Sequence, residues 1–366
     1  MTDKSDLRLD RRERAVLLGA VPAHTAKTIL NALPDYDILL VPLAGQSEVP
    51  LWPTDIGCQP AQLIEVLVHL REQAFEVVML PYADRLYWQN RNLITLTAGL
   101  APKTMVIFPE GASRIYAGED VHRLAYNAAY LNRLFQFAPP LAGKRLLDVG
   151  CSDGLVCNLM LNEKPEAVVG IDILDKVGHN HPHPRITYAQ MDAAQMLFES
   201  QAFDLCYCIA VMEHVKDPLA VLREMKRVLR PGGIAYIQAG PLYFSAFGHH
   251  MFGYFDDYPW IHLRLSKEAI VHWASDRGID QRIKQTTGRA LTEYLDSMLN
   301  VNHINGLALE GYRLNEFMAD PTIEILSFTK SYEGELWLTS DVAQELASYP
   351  KETLVAHGFE LVFRVR

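Results

Sequence analysis

Residues 146–155 read LLDVGCSDGL. An apolar run ends in a carboxylate and a glycine turn, Gly150 to Gly154, and a second apolar stretch starts at Leu155. This is the pattern of a strand that passes through a tight turn into a helix. Within the turn, Gly150-Cys151-Ser152-Asp153-Gly154 spells G-x-S-x-G, the nucleophile elbow of serine hydrolases. The same residues stand where a glycine loop would let backbone amides approach a nucleotide, with Ser152 in place of the middle glycine. The local pattern serves either chemistry, so its surroundings must decide.

Asp148 lies two residues before Gly150, at the carboxyl end of the strand, where a carboxylate can receive a cationic amine. Twenty-four residues later, GIDI (170–173) puts Asp172 at the end of the next strand. That is the spacing at which an acid takes ribose hydroxyls. Asp192, in QMDAA (190–194), ends the following short strand. A hydrolase elbow has no use for three acids on successive strand tips, and the upstream oxyanion glycine cluster it needs does not occur in the sequence. Ser152 is therefore read as a loop residue, and a serine hydrolase is kept only as an alternative.

The rest of the chain supports an α/β architecture. Strand-length apolar runs at 15–21, 37–43, 76–81 and 104–109 alternate with helical patterns, and a helix is expected at 121–135. Val, Ile and Leu-rich strands between helices indicate a parallel sheet buried on both faces. APPLAG (138–143) breaks the pattern, so the expected domains are 1–138, a Rossmann-like layer, and 139–366, which restarts the βαβ series. The first layer is loosely like half of a two-lobed glycosyltransferase, a likeness of fold only. It lacks G-x-G-x-x-G, and Asp84, Arg85, Glu110 and Arg114 could line a crevice there.

LLDVGCSDG, GIDI, MDAAQM (191–196), FDLCYCIAVMEHVKDP (203–218) and LREMKRVLRPGG (222–233) together resemble class I S-adenosylmethionine (SAM) dependent methyltransferases. They are most similar to the group that includes the quinone-biosynthesis enzymes, over residues about 140–275. The resemblance implies a seven-stranded sheet with a reversed final strand, here FELVFRVR (359–366), and SAM as cofactor. It also implies roles: Gly150, Ser152 and Gly154 around the methionine part, Asp148 at its amino group, Asp172 on the ribose, Ile173 against adenine, and Asp192 with Ala193 at the adenine edge. The departure from the family is Ser152, where glycine is usual; its Cβ crowds a positive φ.

Glu213-His214 follows the fourth strand of this domain. The quinone O-methyltransferases read Glu-x-x-Glu-His there and bind a divalent metal, but Ala210 stands in the first position. His214 is expected as a base and His249 as a second catalytic candidate; a divalent metal is possible but not favoured, and no metal ligands are assigned. The loop at 240–263, rich in Phe and Tyr, is read as an acceptor pocket or lid with Tyr243, His250, Trp260 and His262 as substrate residues. HNHPHP (179–184) is read as a solvated connection. Residues about 279–320 are extra to the minimal fold and are expected to form a helical cap or a homodimer surface.

The formal net charge of -10 argues against nucleic acid as a partner. No apolar run reaches the ~20 residues needed to span a bilayer. Five cysteines, mostly in strand or helix patterns, suit free thiols in a cytoplasmic protein. The expected function is methyl transfer from SAM to a small molecule or biosynthetic intermediate, at oxygen, with sugar, lipid-linked glycan and natural-product acceptors favoured weakly. A catalytically silent nucleotide-binding scaffold is the alternative.

Overall fold

The computed structural model describes residues 13–18, 36–41, 77–81, 103–107, 113–117, 119–300 and 302–366. The chain divides into two compact units, Met1–Gln136 and Phe137–Arg366, each with its own sheet. In the first unit, β1 (Glu13–Leu18), β2 (Tyr36–Val41), β3 (Val77–Pro81) and β4 (Lys103–Ile107) run parallel, and β5 (Ser113–Ala117) returns antiparallel to β4. The order is β2-β1-β3-β4-β5, and α1 (Glu119–Leu134) follows. Arg114, one of the crevice candidates, lies within β5 and pairs with Val106 in the ladder. Asp84, Arg85 and Glu110 lie outside the described residues.

The second unit starts with β6 (Arg145–Val149), whose residues 146–149 are all buried. A strand this apolar must be covered on both faces, which places it at the centre of a sheet. The chain passes through α2 (Leu155–Met160) to β7 (Ala167–Asp172) and β8 (Ile186–Gln190), then returns to the other side of β6 as β9 (Phe203–Ile209). Helix α3 (Pro218–Val228) leads to β10 (Leu229–Ala239). With β11 (Ile323–Ser331) and β12 (Gly358–Val365) the order is β11-β12-β10-β9-β6-β7-β8. Only β12 runs against the others, so the expected reversed last strand is present. The change of direction between β6 and β9 creates the crevice at the strands' carboxyl ends where open α/β sheets bind ligands.

Local chemistry sets the helix ends. Asp217 caps α3 by accepting from the Ala220 N–H at 3.0 Å, and Pro218 occupies the first turn, where its missing donor is harmless. Helix α3 buries Leu219, Val221, Leu222, Met225 and Val228 in the main core and turns its charges outward. The stretch after β10 holds α4 (Ile261–Arg264) and α5 (Lys267–Ser275), the latter capped by Ser266.

The extra segment does two jobs. Its helices α6 (Ile279–Thr287) and α7 (Leu291–Met298) bury Ile279, Ile283 and Leu295 against α5 and the aromatic loop residues Met251 and Phe255. Beyond them Leu309, Tyr312 and, in the short α8 (Leu314–Met318), Leu314 and Phe317 join the core of the central sheet. This half of the segment is therefore integral to the domain. Among the described residues no helix is long and apolar enough to cross a membrane.

Candidate active site

The turn after β6 is built by hydrogen bonds to its neighbours. The Gly150 and Cys151 N–H groups both donate to the Ile171 carbonyl, at 2.8 and 2.9 Å, and the Ser152 N–H donates to Asp172 Oδ2 at 2.8 Å. The second Asp172 oxygen accepts from Leu174 N at 3.1 Å, while the Met191 N–H donates to the Asp172 carbonyl at 2.7 Å. The tips of β6, β7 and β8 are thus tied together through one residue. Gly150, Ser152 and Gly154 all have positive φ, at 80°, 49° and 93°. At Gly154 a Cβ would also collide with the Tyr188 hydroxyl, so glycine is required there for space as well as conformation.

Asp148 is 4% exposed and accepts from the Cys157 thiol at 3.2 Å. Burial pushes its carboxyl up to about 7; the Cys157 hydrogen bond opposes this, and the nearby Asp172 charge adds to it. Ile173 is 69% exposed, an unusual state for an isoleucine at a crevice edge. Asp192 is exposed too, with Oδ1 accepting from Ala194 N at 2.8 Å, and Ala193 is half-buried.

On the other side of the strand tips, Glu213, His214 and His250 converge, with one potential ligand atom of each within 4.8 Å of the others. Glu213 is 1% exposed; its Oε1 accepts from Gly240 N at 3.2 Å and its Oε2 is buried without a partner. Burial pushes the Glu213 carboxyl up to about 8. His214 Nδ1 bonds the His303 carbonyl, and burial lowers the pKa of His214. His250, at φ 55°, bonds the Gly248 carbonyl through Nδ1 at 3.1 Å and leaves Nε2 buried and unpartnered. Among the described residues this is the one cluster of His, Cys, Asp or Glu side chains close enough to hold a metal ion. An unpaired buried carboxylate oxygen facing imidazole nitrogens fits a divalent cation.

The other loop residues do not join this cluster. His249 accepts from Met251 N at 3.0 Å, its ring 5.6 Å from that of His262, and burial lowers its pKa to about 3. His262 Nε2 bonds the Tyr243 carbonyl at 2.6 Å, and burial likewise lowers its pKa, to about 4. The Tyr243 ring packs edge-on against His262, 5.1 Å between centroids. Trp260 is fully buried, its Nε1 donating to the Phe244 carbonyl at 2.9 Å, and it packs with Ala246, Leu346 and Leu354. The structure therefore corrects its reading as a substrate residue: apolar packing and a satisfied N–H hold the indole in the core of the loop.

The sequence comparisons bear on this arrangement directly. The family described as a methyltransferase domain matches residues 147–237, from β6 through most of β10. The chain is 34% identical over 147 residues to a ubiquinone biosynthesis O-methyltransferase of Paracidovorax citrulli (strain AAC00-1), covering 37% of this chain and 61% of that protein. It is 30% identical over 149 residues to a protein of the same name from Aliivibrio fischeri (strain MJ11), covering 38% and 63%. The chain thus spans a little over three fifths of the length of these curated relatives. A solved SAM-dependent methyltransferase from Mesorhizobium loti aligns with 63% of this chain and 95% of its own, at 17% identity and a TM-score of 0.38; at that level it carries no argument.

Several residues that brace these strand ends gave no signal in the sequence. Asp153, 5% exposed, accepts from the Asn180 side chain at 3.1 Å and lies 4.0 Å from His181, so HNHPHP is anchored to the turn through it. Tyr188 donates to the His181 carbonyl at 2.9 Å from beneath Gly154. Asn305 donates to the Met212 and Val215 carbonyls, both at 2.9 Å, and fastens the extra segment to Glu213-His214. Only the N-terminal position of Asp153 relative to α2 could have suggested its role, because the partners of the other two are distant in sequence. No histidine hydrogen-bonds Ser152 among the described residues, which removes the base an elbow serine needs.

Proposed function

We propose that the chain is a SAM-dependent methyltransferase acting on a small-molecule acceptor at oxygen. The observation that carries this reading is the Asp172 carboxylate. It organises the turn from the β7 tip, yet each oxygen has accepted a single N–H and retains a lone pair for a ribose hydroxyl. The exposed Ile173 beside it offers an apolar face for adenine, and Asp192 keeps a free carboxylate oxygen for the adenine amine. Asp148 holds a proton near neutrality and would release it on meeting an ammonium, directly or through water.

SAM supplies a methyl group on a sulfonium, an already activated leaving group, so the protein's main tasks are alignment and exclusion of water. An oxygen acceptor must also lose its proton. His214 supports that step: its Nδ1 is held by the His303 carbonyl, its lowered pKa keeps the ring neutral, and Nε2 is then the basic nitrogen. The relatives are named ubiquinone biosynthesis O-methyltransferases, which supports oxygen as the atom methylated. Calorimetric titration with S-adenosylhomocysteine tests the reading. Saturable 1:1 binding is expected, weakened by about 1–3 kcal/mol in Asp172→Ala through loss of charged hydrogen bonds. Unaltered affinity in that variant would remove the assignment.

A further inference from the structure

We infer that Glu213, His214 and His250 bind one divalent ion of the zinc, cobalt or nickel class at the carboxyl ends of β9 and β10. The inference rests on the three side chains and not on methyl transfer; an ion held through His214 Nε2 would occupy the lone pair that the preceding reading uses as a base, so the two roles of His214 exclude one another. Each is tied to the backbone by one atom, which leaves its other polar atom available to an ion. Glu213 is held through Oε1 by the Gly240 N–H, His214 through Nδ1 by the His303 carbonyl, and His250 through Nδ1 by the Gly248 carbonyl. An imidazole that donates Nδ1–H to a carbonyl must carry its lone pair on Nε2, the tautomer and orientation a metal ligand needs. One potential ligand atom of each residue lies within 4.8 Å of the others, and Glu213 Oε2 and His250 Nε2 are buried with no hydrogen-bond partner among the described residues.

The sequence reading leaves a divalent metal possible without favouring it and assigns no ligands; the cluster supplies a candidate set. Ala210 leaves Glu213-His214 one ligand short of Glu-x-x-Glu-His, and the backbone at 210 is itself left-handed, φ 54°. The missing ligand comes from the loop after β10. A turn in which His250 N donates to Phe247 O at 3.0 Å swings His250 toward His214, their rings 5.3 Å apart, while His249 faces the other way, toward His262. Replacing a carboxylate by an imidazole changes the chemistry of the site. Two nitrogens and one carboxylate oxygen suit zinc and its neighbours, whereas magnesium prefers an all-oxygen shell. Three protein ligands also leave a coordination position open, as in catalytic rather than structural sites.

The test uses the full chain without a histidine tag, stripped with a chelator, gel-filtered, and titrated with zinc or magnesium in the absence of SAM. Metal content is measured by plasma mass spectrometry. The expected result is one zinc per chain and no saturable magnesium binding. Cobalt loading should give visible d–d bands without the thiolate charge-transfer band that binding at a cysteine would produce. His250→Ala should weaken zinc binding by more than about a hundredfold, since losing an outer-shell partner alone typically costs ~10–100-fold. His262→Ala, whose ring lies outside the trio, should leave it unchanged. Glu213→Gln repeats the test with a near-isosteric side chain, and circular dichroism melts establish that each variant is folded. Substoichiometric zinc in the wild type, or equal binding by folded His250→Ala and Glu213→Gln, would overturn the site. Equal affinity for magnesium would overturn its metal class. A failure of S-adenosylhomocysteine binding would leave these readouts untouched.

Discussion

At the residue scale, Ser152 carries the sequence's one departure from a glycine loop. It adopts φ 49°, and its N–H and carbonyl are both engaged, with Asp172 and Gly178. An L residue in the left-handed region is strained by about 1–2 kcal/mol, and the added flexibility of an unfolded glycine offsets part of any relief. Ser152→Gly is therefore expected to raise the melting temperature by about 2 °C, as a gain of ~1 kcal/mol gives in a unit of this size, with S-adenosylhomocysteine still bound. A drop in melting temperature would show that the serine side chain has a stabilising partner. Asp148 gives a pH-dependent prediction. Its carboxyl is pushed up from 3.8 to about 7, so between these values the native state binds a proton the unfolded state has lost. Its contribution to stability is complete below pH 4 and disappears as the pH rises through 7. Asp148→Asn cannot ionise, so relative to wild type it should melt progressively higher from pH 5 to pH 7.5. A constant difference in melting temperature over that range would refute the burial of a protonated Asp148.

At the scale of elements, the strands were legible wherever a single strand carried enough apolar residues to be buried on both faces. Strands β6, β7, β9 and β10 are of this kind, and β6 and β7 carry Asp148 and Asp172 near their ends, where the sequence places them. Strand β5 escaped notice because SRIYA is short and half polar, and only pairing with β4 makes it a strand. The extra segment was read as a helical cap or a homodimer surface, but Asn305 shows a structural duty that no local pattern encodes. Its side-chain amide satisfies two carbonyls of the turn that holds Glu213 and His214, and its own N–H donates to the Glu213 carbonyl at 2.8 Å. Asn305→Ala should cost about 2–4 kcal/mol, because buried acceptors left unpaired each carry a penalty of ~1–3 kcal/mol. Chemical denaturation measures it, and a loss below ~0.5 kcal/mol would mean that water replaces the amide at both carbonyls.

At the scale of the whole molecule, every residue of the proposed cofactor crevice and of the histidine cluster lies in the unit Phe137–Arg366. That unit has its own seven-stranded sheet and core. Residues 137–366 expressed alone should therefore unfold cooperatively and bind S-adenosylhomocysteine as tightly as the full chain. An affinity lower by more than about tenfold, or ~1.4 kcal/mol, would mean that the first unit contributes to the crevice.

The sequence by itself determined the crevice on the β6 and β7 side. There, strand, turn and acid follow one another within a few residues, so the spacing along the chain is nearly the spacing in space. It also determined the direction of the last strand through the resemblance of the five motifs. Tertiary structure alone decided the rest: that Trp260 belongs to a core, that Asn305 braces the turn after β9, and that His250 faces Glu213 and His214 while His249 faces His262. These outcomes depend on how a long loop closes over the strand ends. Loop closure is governed by packing and hydrogen bonds between residues far apart in the chain, which no periodicity records.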